Sequence, residues 1–320
     1  MLHLLNKNLN LQLLLLFLLI GWTGWNIFTQ MTLMPTDGTM LLFQKVAKVW
    51  TWNHILARCI VLLLVLTMTI GVIREFQQNH FYESHTYMPG VFLLLILNCG
   101  HFLDTFSPAL LTAFFIALIL VIFKSGDSAS KAKDRIFTFG LVIAIATMLD
   151  VSAFGILLFL IMIIAINNVS PLKDNLILFF GLLLPYIYAF SIAFMSNTLT
   201  TFLQSWRDLV IFVPAKQFTH LRLFDYILLS YFVILSIYLM VRGKQFLDNK
   251  LIVIRQAFTN THLLFIAMFL FLWLGNMVLP NALLYLLLPT SIYLSVAVIP
   301  KRRRFIFDIL FVAFCVLLWL

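Results

Sequence analysis

Charge is scarce in this chain of 320 residues: Asp, Glu, Lys and Arg together make up 10%, where a soluble domain carries about 25%. Acidic residues are scarcer still, 12 against 21 Lys and Arg. A water-soluble fold of this length has no interior large enough for the apolar remainder, so lipid must solvate much of the surface. Cysteine is nearly absent. Cys59, Cys99 and Cys315 stand in or beside apolar runs, with no CxxC spacing and no His partner pattern. That argues against a disulfide framework or a zinc site and leaves them as small buried hydrophobes. No Walker A, HExxH or GxSxG pattern occurs, which removes the common soluble chemistries. No internal repeat, low-complexity tract or soluble segment interrupts the chain, so residues 1–320 read as one integral membrane domain.

Apolar residues are what the chain has, at 63%, with 33 Phe. A helix needs about 20 apolar residues to cross about 30 Å of hydrocarbon. Candidate spans are 11–29, 55–73, 87–103, 108–123, 136–149, 151–167, 175–195, 224–241, 262–279, 282–299 and 305–320. The fold class expected is therefore all-α, a polytopic transmembrane helical bundle of about 11 spans. The pairs 87–123 and 136–167 read as tight helical hairpins, the second leaving open whether it fully spans twice. The first run follows Lys7, but Trp22, Trp25 and Asn26 stand where a signal-peptide cleavage site needs small residues, so it reads as a retained anchor.

Basic residues give the orientation. With the N-terminus in the cytoplasm, 15 of the 21 Lys and Arg fall inside, among them Arg74, Lys124, Lys131, Lys133, Arg135, Arg242 and the run 301–304. The excess has the sign of the positive-inside rule. The odd span count puts the C-terminus outside. The net charge of +9 is thus topological, and nucleic acid is not an expected partner. The longest inner connections are 74–86 and 242–261. Both long outer connections, 30–54 and 196–223, carry apolar residues at 3–4 spacing, with Lys45 and Lys48, or Arg207 and Asp208, opposite. Each predicts an amphipathic helix lying on the outer face.

Candidate site residues are few. Asp37 lies in Pro-Thr-Asp-Gly, a turn and N-cap context. His54 and Arg58 stand one turn apart. His101 precedes Asp104 by three residues, a spacing that puts both on one face as an acid–base pair or as metal ligands. No third or fourth ligand sits at a fixed spacing, so neither a bound metal cluster nor an organic cofactor is expected; the acidic residues leave a divalent cation open. Asn98, Pro185, Asn276 and Pro289 are the main interruptions within spans. Charge near the midplane is missing, which lowers a transporter reading.

The stretches TYMPGVFLLLILNCGHFLDTFSPALLTAFFIALILVIFKSG, KDRIFTFGLVIAIATMLDVSAFGILLFLIMIIAI and LILFFGLLLPYIYAF, with LPTSIYLSVAVIPKRRRFIFDILFVAFCVLLWL near the C-terminus, resemble a family of Bacteroidota inner-membrane proteins with a domain of unknown function. The order of anchor, acidic outer loop, interfacial helix and successive hairpins is similar to that of the GT-C glycosyltransferases, which use lipid-linked sugar donors. The resemblance implies Asp37 as general base or acceptor-positioning group and Asp104 as a second acidic residue. Charge and position, rather than the resemblance, make Arg207 and Arg58 candidates for a lipid phosphate, with His54, His101 and Asp208 as polar partners. The chain departs from those enzymes in having one acidic residue in the first outer loop and no large outer C-terminal domain. Implied partners are membrane lipid, a lipid-linked sugar and subunits of an inner-membrane complex. The three expectations are an enzyme acting on lipid-linked saccharides in envelope biogenesis, a non-catalytic scaffold subunit, and a small-molecule transporter.

Overall fold

The computed structural model describes residues 8–33, 41–79, 81, 86–122, 129–150, 153, 156–157, 159, 161, 171–210, 223–247, 252–274, 279–298, 311–313 and 316. These are mostly helical, as the composition requires. The helices are α1 (Leu9–Thr29), α2 (Leu41–Trp52), α3 (His54–Gln78), α4 (Met88–Cys99), α5 (Pro108–Ile122), α6 (Ala129–Leu149), α7 (Pro171–Met195), α8 (Leu199–Val210), α9 (Leu223–Leu247), α10 (Ile252–Leu274) and α11 (Leu279–Val298). Three of them, Leu9–Thr29, His54–Gln78 and Leu172–Met195, are long and apolar enough to cross a membrane. The two outer connections expected to carry amphipathic helices contain α2 and α8, 12 residues each.

Boundaries differ from the apolar windows where the chain turns early or where exposed polar residues hide a buried face. The window 87–103 holds a helix of 12 residues, about 18 Å at 1.5 Å per residue, because the chain turns at Gly100. The window 262–279 begins inside a helix, Ile252–Leu274, that starts ten residues earlier. Arg255 and Gln256 there lower the average hydropathy, yet Ile254, Ala257, Phe258 and Thr261 are buried at helical spacing. The supposed long inner connection 242–261 is therefore mostly helix. The described part of 305–320 is confined to positions 311–313 and 316, all helical.

Polar clamps set the direction of the first helices. At one end of α1, Gln12 Oε1 accepts from the Thr86 hydroxyl (3.1 Å) and the Tyr87 amide (2.8 Å) just before α4. Toward its other end, Asn98 of α4 donates to the Thr23 hydroxyl (2.8 Å) and accepts from Asn26 Nδ2 (3.0 Å). Helices α1 and α4 thus run parallel, with α3 returning between them. Such bonds contribute roughly 0.6 kcal/mol each on average in a membrane interior. Helices α6 and α7 are also parallel. Gly140 packs on Gly181, and nearer both C-termini Thr147 bonds Tyr186 at 2.6 Å. Parallel helices cannot be joined by a tight turn, so Leu149 and Pro171 lie toward opposite ends of the pair. Between them in the chain, Ala153, Ile156 and Phe159 are buried at three-residue spacing.

Helix α11 is central: every residue from Leu283 to Val296 is buried. Pro289 removes one backbone donor within it. Just after Pro289, the Thr290 and Ser291 hydroxyls donate to the carbonyls of Leu286, Leu287 and Leu288.

Candidate functional site

One end of the bundle gathers the polar chemistry. The end of α1 and the start of α5 are joined there by a two-residue parallel pairing, β1 (Thr32–Leu33) with β2 (Thr105–Phe106). Just before β2, Asp104 accepts at its backbone carbonyl from the Thr32 amide (2.7 Å) and hydroxyl (3.2 Å). Ser107 then starts α5: its carbonyl accepts from the Leu110 amide at 3.2 Å, ahead of Pro108. Helix α2 closes over this seam through Phe43, which is fully buried with its ring 5.7 Å from that of Phe106.

Within the seam, His101 Nδ1 lies 2.9 Å from Asp104 Oδ2, with the two side chains 51% and 36% exposed. The pair predicted from spacing is therefore formed, and water reaches it. The backbone of His101 is left-handed, with φ 53°. Only Gly, and to a lesser degree Asn, Asp and His, occupy that region readily. The end of α4 requires it: the His101 amide reaches back to the Asn98 carbonyl (3.4 Å) and the Asp104 amide to that of His101 (3.2 Å), closing the turn. A carboxylate beside an imidazole fixes the ring's orientation. The pair can take a proton from a hydroxyl and pass it to water.

Arg58 lies close by, on the first turn of α3, behind Asn53. The Asn53 side chain caps α3 by accepting from the Ile55 and Leu56 amides. Arg58 Nη1 and Nη2 donate to the carbonyls of Phe28 and Met31. The guanidinium therefore tethers the last carbonyls of α1, where the helix dipole favours a cation. A lipid phosphate at Arg58 would have to compete with that role. His54 is exposed on the same turn. Asp37 lies outside the described residues. So do the side chains of Arg207 and Asp208, although both positions lie in α8.

A second carboxylate stands at this end. Asp150, just past α6, accepts from the hydroxyl of Tyr285 on the central helix at 2.5 Å. Tyr285 was missed from sequence, as were Thr23 and Asn26, the partners of Asn98. Their spacing of three residues in an otherwise apolar helix is the signal that could have found the latter two. Among the described residues, no three His, Cys, Asp or Glu side chains come together around a metal position. No family profile, curated protein or solved structure matches this chain.

Proposed function

We propose that this chain is a multi-pass inner-membrane protein of eleven spans and GT-C-like topology, with its strand-bearing end outside. There His101 and Asp104 handle the acceptor of a lipid-linked saccharide during envelope biogenesis. What carries the chemistry is the 2.9 Å His101–Asp104 contact held on a left-handed turn. The turn after α4 requires the left-handed backbone, and a His there in place of Gly, at a water-accessible position beside Asp104, fits a site. The choice of a lipid-linked saccharide rests on the resemblance alone. On this reading the pair removes the proton of an acceptor hydroxyl. The new glycosidic bond forms as the bond from the sugar to the lipid phosphate breaks. Asp37 and Arg207 are the residues that the reading adds from the sequence.

The test is to substitute Asp104→Asn, His101→Asn and Asp37→Asn in the full chain and to profile envelope glycans and lipid-linked intermediates. Accumulated donor with depleted glycan in the Asp104 and His101 variants supports the reading. Wild-type profiles in all three, beside a clear deletion phenotype, would remove the enzyme. The scaffold reading has its own motive in α7, whose Phe179, Phe180, Tyr188, Phe190 and Phe194 face outward. A stoichiometric partner in gentle detergent, with no turnover of lipid-linked sugar, would favour it.

A further inference from the structure

Helix α3 carries Glu75 near the end of the bundle away from the strands, 17 residues beyond Arg58. Glu75 is 7% exposed. One turn on, Asn79 donates through Nδ2 to Glu75 Oε1 at 2.5 Å and to the Glu75 carbonyl at 3.1 Å. The other carboxyl oxygen, Oε2, is buried with no partner. Phe76 and Phe81 lie beside it in sequence, both 1% exposed, with their rings 5.3 Å apart. The Phe81 ring in turn meets Phe258 of α10 at 6.1 Å.

Among the described residues, the helices packed closely on α3 supply no compensating charge, and the buried Arg242 of α9, next to the Gly243 that meets Phe258, donates to the Tyr238 hydroxyl at 2.9 Å. Helices α1, α4 and α5, which pack on α3, contain no Asp, Glu, Lys, Arg or His in residues 9–29, 88–99 and 108–122. Helix α11 brings Tyr285 and Tyr293 as its only ionisable groups, and α2 brings Lys45 and Lys48, which pack toward the strand end. On α3 itself Arg74 is exposed and His54, Arg58 and Cys59 are near the far end; on α10, Arg255 is exposed and His262 lies one turn past Phe258. No ion pair to Glu75 forms among the described residues.

We propose that Glu75 is a proton-binding site enclosed within the bundle, a carboxylic acid with its proton on Oε2. An ionised carboxylate with one hydrogen bond and no cation is strongly disfavoured in an apolar enclosure. Asn79 satisfies the carbonyl-type oxygen of the neutral acid and leaves the other oxygen for the proton. Binding takes one proton from water onto Oε2 and removes one negative charge; release reverses both. This site is independent of the reading made for His101 and Asp104, which occupy the other end.

Dicyclohexylcarbodiimide tests it, because this apolar reagent needs a protonated carboxyl in apolar surroundings. The full-length protein in detergent is treated at a series of pH values, and the modified peptide is located by mass spectrometry. The expected result is an N-acylurea on Glu75, with a yield that falls about tenfold per pH unit above its midpoint, and none in Glu75→Gln. A water-soluble carbodiimide should instead modify the part-exposed Asp104 and spare Glu75, reporting that the enclosure around Glu75 is folded. An unmodified Glu75 at mildly acidic pH, or a yield that does not change with pH, overturns the proposal. So does protection by sodium at constant pH, which would make this a metal-cation site. Should Glu75→Gln fail to accumulate, the labelled peptide of the wild-type protein decides alone.

Discussion

His101 holds a backbone conformation that costs a non-Gly residue roughly 1–2 kcal/mol, and its turn is compatible with Gly. Replacing it with Gly should therefore raise unfolding stability by about 1 kcal/mol while removing the imidazole that faces Asp104. His101→Asn should leave stability near wild type, since Asn tolerates the left-handed region, and still lose the acid–base pair. Thermal unfolding in detergent, read beside the glycan profile, checks both. A His101→Gly protein that is less stable than wild type would mean that the Asp104 contact outweighs the strain, and would turn the pair into a structural element. The same residues show what a sequence can disclose at this scale. His101 and Asp104 are three positions apart, so local spacing places them together. Asp150 and Tyr285 are separated by 135 positions and Asn26 and Asn98 by 72. No local pattern joins them; only the tertiary fold does, by setting the residue after α6 against α11 and packing α1 on α4.

Helix packing makes different demands. A Cβ on Gly140 would collide with the backbone of α7 at Leu178, Gly181 and Leu182, and one on Gly181 with the carbonyl of Phe137. Backbone cannot give way as a flexible side chain can, so Gly140→Ala or Gly181→Ala should cost about 1–3 kcal/mol by overpacking and separate α6 from α7. Gly21 and Gly24 of α1 have nothing within 4 Å of such a Cβ. Alanine there should be neutral or stabilising by up to about 1 kcal/mol through helix propensity. Melting temperatures of the four variants in one detergent separate the two cases, and equal losses at all four sites would contradict close α6–α7 contact. Glycines in apolar runs look alike in sequence, so this distinction was not legible there. The helices themselves were, because runs of apolar residues demand a helix in lipid. Their ends were not, since an average over a window cannot see that Arg255 and Gln256 point away from a buried face that continues to Ile254.

At the scale of the whole molecule, direction is the question on which the proposed function depends. The strand end gathers His54, Arg58, His101, Asp104 and Asp150; the opposite end gathers Arg74, Lys133, Lys173 and Arg255. The alternation follows from contacts rather than from hydropathy: α1 and α4 are parallel, with α3 returning between them, and α6 and α7 are parallel too. Basic residues favour the cytoplasmic side, and the proposed reading accordingly has the second end inward. Single cysteines test this after Cys59, Cys99 and Cys315 are replaced by Ser. With a membrane-impermeant maleimide on intact cells, His54→Cys and His101→Cys should label. Lys133→Cys and Lys173→Cys, both at exposed positions, should label only after the membrane is opened. The inverse pattern would turn the His101–Asp104 pair toward the cytoplasm, away from the side where the reading places its saccharide. Labelling of Lys133→Cys and Lys173→Cys from opposite sides would break the parallel α6–α7 pair, and with it the span between them that the count of eleven requires.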